Sequence, residues 1–470
     1  MEPASRFGEE YRAPMEAAAR LAGTWIDGVA DRRIAPRVDV EQVKDALGRR
    51  LPDRGEDAAA VVEALAAAVE PGLMAMQSPR FYGWVIGGTA PAALAADWLV
   101  SAWDQNCGMS EPFPATSMIE QVAAGWMLDL LDLPRGASVG FVTGGQTANT
   151  TCLAAARNHV LAAHGWDVEA HGLQGAPRVT VLVGAERHDS VDASLRALGL
   201  GAATATVVPA DDAGRVRPEA VAEAAAAVGG PTIVVLQVGN VNGGAVDPVG
   251  EIADAVRRDD LWVHADGAFG LWARAAPARR HMVEGLDRAD SWATDAHKWL
   301  NTPYDCGVAI CAHPTAHRRA MGVRAAYLPV GDDAALRDPI DYNPELSRRA
   351  RAVPVWAALR HLGRRGVAEM VEGCCRMATL LAGRLAEAEG VEVLHQDLNQ
   401  AVVRFLDPRG LDDDAHTRAV LAATQAEGTC YPSGTVWRGV GGVRLSVTSW
   451  RTGPEDVERS AAALLAAHRA

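Results

Sequence analysis

Short apolar runs typical of β-strands alternate with longer helical runs from about residue 76 to residue 345. Seven strands are predicted, at residues 139–143, 179–183, 204–208, 232–238, 261–264, 291–294 and 307–311. Helical stretches such as 147–164 and 218–228 lie between several of them. This alternation predicts an α/β fold, in which a mostly parallel seven-stranded sheet has helices on both faces. Sheets of this kind bind ligands beyond the carboxyl ends of their strands.

The two flanks of this region have different patterns. Residues 1–75 are helical in pattern and alanine-rich, and they are too few to form a core of their own, so we expect them to pack on another surface such as a second subunit. Residues 346–470 combine a long amphipathic helix at 367–388 with predicted strands at 391–394, 402–406 and 443–447. The sequence thus predicts an N-terminal helical segment at 1–75, a large α/β domain at 76–345 and a small α+β domain at 346–470.

Composition excludes several classes of protein. The net charge of −14 over 470 residues argues against nucleic-acid binding, which requires a basic surface. The most membrane-like run, 85–103, is interrupted by two glycines, a proline and an aspartate, so no membrane span is predicted. Seven cysteines without regular spacing predict free thiols and a reducing, cytoplasmic location, and the N-terminus lacks the apolar core of a signal peptide. We predict no metal site.

An acid and a lysine end two neighbouring predicted strands. Asp266 closes the apolar run that begins at Leu261, and Lys298 follows the strand 291–294. Their separation of about 30 residues is typical of one crossover unit in a parallel sheet. An acid beside a pyridine nitrogen keeps that nitrogen protonated, and a lysine forms a Schiff base with an aldehyde, so the pair suits pyridoxal 5′-phosphate (PLP). Without the lysine, Asp266 would also suit a helix N-cap.

Two further motifs follow predicted strands. The sequence TGGQTAN at 143–149 runs from a strand through Gly144 and Gly145 into a helix, whose N-terminus offers unpaired N–H groups to a phosphate. Alone this signal is weak, because glycine pairs are more often simple turns. His188 follows the second strand. It is either a loop histidine satisfied by backbone or water, or an imidazole that stacks on a cofactor ring and handles a proton.

Residues close to the acid and the lysine suggest further contacts. Ala268 is small enough to lie beneath a cofactor ring. Lys298 stands between His297 and an apolar Trp-Leu pair, which favours a desolvated lysine over a solvated charge. His297 and Asp295 are candidates for the phosphate end of the cofactor, Asp295 only through its backbone or a bridging water.

A polar stretch rich in helix breakers, 326–342, predicts a mobile loop, and loops over sites often act as lids. It contains Tyr327. Three arginines follow this loop, Arg348, Arg349 and Arg351. They form either a solvated basic face or a contact to a carboxylate.

These motifs together resemble the group II PLP-dependent decarboxylases, which include aromatic-L-amino-acid and glutamate decarboxylases. SPRFYG at 78–83, TGGQTAN, the His188 loop, HADGAFG at 264–270 and DAHKW at 295–299 all occur in the order found in that family. The resemblance covers most of the chain and implies PLP-transferase fold type I, as in aspartate aminotransferase. It implies that Lys298 forms the Schiff base, Asp266 contacts the pyridinium nitrogen, His188 stacks on the ring and Ala268 lies beneath it.

The resemblance also implies the remaining cofactor contacts. The phosphate contacts fall on Gly145, Gln146 and His297. Where the family has a Gly-Thr-Thr turn near the cofactor's 3′-oxygen, this chain has Gly239-Asn240-Val241. Valine cannot donate that hydrogen bond, so Asn240 or Asn242 takes its place or no residue does.

The reaction implied is decarboxylation of an L-amino acid to the amine. Tyr327 falls on the family's loop tyrosine, which protonates the carbanion after CO₂ leaves, whereas related aldehyde synthases are expected to carry phenylalanine there. Aminotransfer, oxidative deamination and decarboxylation-coupled aldehyde formation stay open as alternatives. A non-catalytic role requires Lys298 or Asp266 to be missing, and both are present.

The family forms homodimers with the active site at the interface, and the N-terminal segment lies over the partner. Its substrate pocket matches the apolar residues Trp84, Val85 and Ile86, with Asn106 and Cys107 expected to reach in from the partner. Apolar walls favour an aromatic or aliphatic substrate over glutamate, whose carboxylate needs a cation. Arg80 and the 348–351 cluster are the candidate cations.

Overall fold

The computed structural model describes residues 8–322 and 337–470. Tyr327 lies outside the described residues, so its predicted role rests on the sequence alone. The α-helices are α1 (Glu9–Gly28), α2 (Val40–Leu47), α3 (Ala58–Val69), α4 (Pro91–Trp103), α5 (Pro114–Leu130), α6 (Gly145–Ala162), α7 (Val168–His171), α8 (Asp189–Ala197), α9 (Pro218–Ala227), α10 (Val249–Val256), α11 (Pro314–Met321), α12 (Ala352–Ala386), α13 (Asp413–Glu427) and α14 (Pro454–Arg469). The strands are β1 (Ser138–Val142), β2 (Thr180–Gly184), β3 (Thr206–Val208), β4 (Thr232–Gln237), β5 (Leu261–Asp266), β6 (Ser291–Asp295), β7 (Gly307–Cys311), β8 (Val391–Asp397), β9 (Gln400–Phe405), β10 (Ser433–Trp437) and β11 (Val440–Ser446).

The first seven strands form one sheet in the order β1-β7-β6-β5-β4-β2-β3. The predicted α/β fold with a mostly parallel seven-stranded sheet is confirmed. β7 is the exception to the parallel arrangement, since it runs antiparallel to both of its neighbours, β1 and β6. Every residue of β4, β5 and β6 is buried, as expected for central strands with helices on both faces. The carboxyl ends of β2, β4, β5 and β6 therefore meet at one edge of the sheet.

The last four strands form a separate antiparallel sheet in the order β10-β11-β9-β8. The sequence did not predict β10 or α13. It also placed the start of α12 at residue 367, fifteen residues too late. Pro354 falls in the first turn, where proline is tolerated, and Gly363 forms a kink with φ of 61° inside the helix. α12 packs on α4 and α5 as well as on β8 and β9, so it contacts both the N-terminal helices and the small sheet. The three domain boundaries stay a prediction.

The N-terminal helices carry apolar side chains that this chain leaves uncovered. α3 is almost entirely apolar, yet none of its residues is buried, and Val61 and Leu65 are about half exposed. α1 packs against α3, and its Met15 is 57% exposed. No helix among the described residues combines the length and the apolar character needed to cross a membrane.

The segment just before α4 connects the two sheets at the edge where the strands end. The backbone N–H of Tyr82 donates to the carbonyl of Tyr431, and Ser446 N–H donates to the carbonyl of Tyr82. Further along, Gly87 passes so close to the backbone of Lys298 that an added Cβ would lie 1.9 Å from its carbonyl oxygen. Only glycine permits this approach. The chain from Trp84 onward is thereby held against the lysine.

Candidate active site

A cavity of about 440 Å³ opens at the carboxyl ends of the parallel strands. Its lining includes most of the residues that the sequence singled out: Trp84, Val85, Ile86, Gly145, Gln146, His188, Asp266, Ala268, Asp295, His297 and Lys298. The sheet edge, the start of α6 and the segment before α4 each contribute to the wall. The fold therefore brings together side chains that are more than two hundred residues apart in sequence.

Lys298 points into this cavity and is paired with a carboxylate. Its Nζ lies 3.0 Å from Oδ2 of Asp295, whose side chain is almost fully buried. The other oxygen, Oδ1, has no hydrogen-bond partner among the described residues. The backbone of Asp295 is already engaged, because its N–H donates to Ala268 and its carbonyl accepts from Trp272. The backbone of Asp295 therefore already has partners within the protein and its carboxylate contacts the lysine, whereas the predicted contact through a bridging water stays a prediction.

Asp266 lies at the end of β5 and is 5% exposed. Its Oδ1 accepts the N–H of Ala268 at 3.2 Å, and its Oδ2 accepts the amide N–H of Asn149 at 3.0 Å. Burial raises the pKa of Asp266, while the positive charges of His188 and Lys298 and these two hydrogen bonds counteract that rise. A buried carboxylate needs such partners, and a cationic ring nitrogen is chemically suited to be another.

His188 caps the N-terminus of α8. Its Nδ1 accepts the backbone N–H of Ser190 at 3.1 Å and lies 2.9 Å from the Ser190 hydroxyl. In the neutral ring the proton is therefore on Nε2. The capping role matches the simpler of the two interpretations of this histidine. Because the cap fixes the ring at the wall of the cavity, it is also compatible with stacking on a cofactor.

The N-terminus of α6 forms one end of the cavity. Gly144 is the N-cap residue and Gly145 begins the first turn, and no side chain of the described residues caps its N–H groups. His297 lies beside this turn, since a Cβ on Gly144 would be 3.5 Å from its Cε1. The His297 ring stacks on Tyr304 at 4.3 Å, and its Nδ1 accepts the N–H of Cys306. Unpaired N–H groups at a helix N-terminus fit a phosphate.

Asn240 does not face the cavity. Its side-chain oxygen accepts the N–H groups of Asn242 and Gly243, and so closes the turn after β4. The side-chain oxygen of Asn242 accepts the Thr435 hydroxyl. Val241 lines the cavity instead. The predicted cofactor contact from Asn240 is therefore not supported.

Asn106 and Cys107 are engaged within their own chain. The Cys107 thiol is fully buried and donates to Glu120 at 3.3 Å, so it is not presented to a second subunit. The side-chain oxygen of Asn106 accepts the N–H of Arg348. Neither residue lines the cavity of this chain.

The candidate cations are also engaged elsewhere. Arg80 is buried and binds Asp456 together with the carbonyls of Thr429 and Ala30. The arginines of the 348–351 cluster each contact a carboxylate of the protein: Arg348 contacts Glu120, Arg349 contacts Asp97 and Arg351 contacts Asp305. The cluster is thus not a free basic face, because each of the three guanidinium groups already pairs with a carboxylate of the protein.

The cavity lining also includes residues that the sequence did not single out: Ser190, Gln237, Tyr304 and Arg444. Tyr304 is 52% exposed, and partial desolvation and the charge of Asp295 raise the pKa of its hydroxyl, which therefore keeps its proton at neutral pH. Burial lowers the pKa of Arg444 to about 10, so the guanidinium stays charged, and its buried Nε has no partner among the described residues. A charged residue within the apolar strand VGGVRLS was an available signal for Arg444.

A lysine and a buried acid at the strand ends of this sheet, with an open helix N-terminus between them, define a PLP-dependent enzyme of fold type I. The family model of the pyridoxal-dependent decarboxylase conserved domain matches residues 41–406, and the chain belongs to this family. It is therefore a PLP-dependent carboxy-lyase that acts on an amino acid.

The relatives differ in substrate. The chain is 26% identical over 400 residues to the aromatic-L-amino-acid decarboxylase of Bacillus atrophaeus, an alignment that covers 82% of this chain and 79% of that protein. It is 28% identical over 365 residues to the cysteine sulfinic acid decarboxylase of Homo sapiens, covering 75% and 72%. Among solved structures, Oryza sativa TDC with PLP and tryptamine superposes with a TM-score of 0.91 at 22% identity, covering 100% and 99%. This likeness supports the fold.

Proposed function

We propose that the protein decarboxylates an L-amino acid with an aromatic or apolar side chain to the corresponding amine and CO₂. The observation that carries the proposal is one cavity in which Lys298 and Asp266 face a wall formed by Trp84, Val85 and Ile86. The similarity to an aromatic-L-amino-acid decarboxylase supports the same substrate class.

Each candidate residue has a proposed role toward the cofactor or the substrate. Bound PLP supplies an electron sink for the bond to the departing CO₂. Lys298 holds the cofactor, Asp266 keeps a proton on its ring nitrogen, and His188 and Ala268 bind the two ring faces. Gly145, Gln146 and His297 bind the phosphate. Tyr327 is proposed, on its sequence position alone, to donate the proton to Cα, with His188 assisting.

The lysine assignment has a simple test because the sequence contains two lysines, Lys44 and Lys298. We expect borohydride reduction of the PLP-loaded protein to fix the cofactor on the Lys298 peptide alone. Lys298→Ala loses both the visible absorption band and the release of amine and CO₂ from an amino-acid panel. Lys44→Ala is the matched control and retains both, because Lys44 lies exposed on α2. Labelling at Lys44, or aldehyde or keto acid as the main product, contradicts the proposal.

A second candidate substrate class follows from Arg444. An unpaired guanidinium at the cavity wall suits the side-chain carboxylate or sulfinate of an acidic amino acid. The similarity to a cysteine sulfinic acid decarboxylase supports this class as well. A panel of L-tryptophan, L-tyrosine, L-phenylalanine, L-glutamate, L-aspartate and L-cysteine sulfinate separates the two. We expect the aromatic substrates to have the higher kcat/KM.

We further propose that the enzyme is a cytoplasmic homodimer with its active site at the interface. Uncovered apolar side chains on α1 to α4 support a second subunit. All seven cysteines are free thiols, which suits a reducing compartment.

A further inference from the structure

A chain of buried hydrogen bonds leads from Asp266 into the protein. Asn149 Nδ2 donates to Oδ2 of Asp266 at 3.0 Å, and His264 Nε2 lies 2.9 Å from Oδ1 of Asn149. Ser291 Oγ lies 2.8 Å from His264 Nδ1 and 2.8 Å from Nε1 of Trp262. The four residues beyond Asp266 are each 0% exposed. No step of the proposed reaction uses any of these four residues.

Three elements bring this chain of residues together. Trp262, His264 and Asp266 alternate along β5 and so lie on one face of the sheet. Ser291 is the partner of His264 in the β5–β6 register. Asn149 belongs to α6, one turn after Gly145, and reaches this face from above. The helix whose N-terminus faces the predicted phosphate position thus also contacts the acid at the other end of the cavity.

The chemistry of the groups fixes the direction of the hydrogen bonds. An ionised Asp266 can only accept, so the amide N–H of Asn149 faces it and Oδ1 of Asn149 faces His264 Nε2 as an acceptor. At the other end, Ser291 Oγ accepts the Trp262 indole N–H and has its own proton available for His264 Nδ1. Burial lowers the pKa of His264 to about 3, so the ring is neutral and its one proton lies on Nε2. That proton is donated to Oδ1 of Asn149, which leaves the amide N–H of Asn149 facing Asp266.

We propose that Asn149 and His264 are positioning residues, which keep the Asp266 carboxylate ionised and oriented for the ring nitrogen of PLP. This inference rests on the proposed placement of Asp266 beside that nitrogen. If the Asn149 donor is lost, burial favours the protonated form of Asp266, and a neutral acid no longer stabilises a cationic nitrogen. If the His264 donor is lost, the Asn149 amide is free to turn its oxygen toward Asp266.

The test compares cofactor binding by the apoprotein for PLP and for its deaza analogue, in which carbon replaces the ring nitrogen. We expect Asn149→Ala to weaken PLP binding by roughly 10–100-fold, the usual value of a hydrogen bond to a charged group, and to leave analogue binding nearly unchanged. Asn158→Ala is the matched control. Asn158 is buried on the same helix, but its amide faces Glu169. Equal weakening for both cofactors, or none for either, overturns the proposal.

A pair of His264 variants tests the direction of the chain. Glutamine can place an amide N–H where His264 has Nε2, whereas leucine offers no donor. We therefore expect His264→Gln to keep the preference for PLP over the analogue, and His264→Leu to lose it as Asn149→Ala does. Identical behaviour of the two variants overturns the role of His264. This pair also serves as the test if Asn149→Ala fails to fold.

Asp266→Ala separates this inference from the placement on which it rests. If Asp266→Ala binds PLP and the analogue with the same ratio as the unchanged protein, Asp266 does not contact the ring nitrogen and the placement is wrong. If Asp266→Ala loses the preference while Asn149→Ala and His264→Leu keep it, the placement stands and the positioning role of Asn149 and His264 is overturned.

Discussion

At the scale of single residues, Arg444 is a cation at the cavity wall that has no acidic partner among the described residues. Buried arginines are normally paired, because an unpaired buried charge costs several kcal/mol. Arg80 and Arg348 follow that rule through Asp456 and Glu120, whereas no carboxylate among the described residues pairs with Arg444. A site that keeps such a charge is suited to an anionic group on its substrate, and every amino acid brings an α-carboxylate.

We therefore expect Arg444→Leu to lower kcat/KM for aromatic amino acids by roughly 10–100-fold, the value of one charge-assisted hydrogen bond. Steady-state kinetics across the substrate panel measures it. Arg404→Leu is a suitable control, since Arg404 lies on the adjacent strand β9 and pairs with Asp414. A loss restricted to acidic amino acids would assign Arg444 to the side-chain carboxylate and favour the second candidate substrate class.

The sequence identified the residues that directly follow an apolar strand, because the end of a strand can be read from the chain itself. Asp266, Lys298 and His188 belong to this group. Arg444 and Tyr304 were missed because their position depends on how β11 and the loop after Lys298 pack in three dimensions. Cys107 was misassigned for the same reason, since only the structure shows its thiol facing Glu120.

At the scale of elements, the burial of β4, β5 and β6 on both faces made the large sheet the most predictable part of the fold. The strand bounds agree to within two residues. In the small sheet β10 was harder to predict, because its sequence SGTVW contains a glycine, which is depleted in strands, and directly follows a proline. The antiparallel direction of β7 is set by its connection from β6, which contains no crossover helix.

The packing of α11 on β1 predicts a pH-dependent contribution to stability. His317 on α11 is fully buried, its Nδ1 lies 2.8 Å from the Ser138 hydroxyl, and its Nε2 has no partner among the described residues. Burial and the nearby charge of Arg337 lower the pKa of His317 to about 3. The folded protein thus keeps this ring neutral, whereas the unfolded chain binds a proton below about pH 6.5. The contribution of His317 to stability is therefore complete above that pH, and it is lost as the pH falls toward 3.

We expect the neutral ring of His317 to lower the unfolding free energy by up to about 1.4 kcal/mol for each pH unit that the solution falls below 6.5. Urea unfolding at pH 7.5, 6.5 and 5.5 measures the effect. His317→Gln should show a shallower loss than the unchanged protein, while the exposed His281→Gln should not differ from it. Parallel curves for the unchanged protein and His317→Gln would mean that the folded state accommodates the protonated ring.

At the scale of the whole molecule, the N-terminal helices leave several large apolar side chains exposed in the single chain. Val61, Leu65, Trp98, Leu99 and Trp103 on α3 and α4 are each between 45% and 52% exposed. A single exposed apolar side chain is common on a monomeric protein, but five large ones on two helices favour an interface. Because residues 1–75 are too few to form a core, the sequence indicated that they pack on a second surface. It did not show that α4 also exposes large apolar side chains.

We expect the protein to sediment with the mass of two chains at micromolar concentration. Leu65→Asp and Trp103→Asp each place a charge on this surface, and burying an unpaired charge in an interface costs several kcal/mol, so both should shift the protein toward single chains. Leu411→Asp is the control, because Leu411 is 75% exposed on a loop of the C-terminal region. If the active site lies at the interface, decarboxylation is lost in parallel with the dimer as protein concentration falls. Single chains with full activity would contradict the interface placement, and unchanged dimers would assign the contact to a different surface.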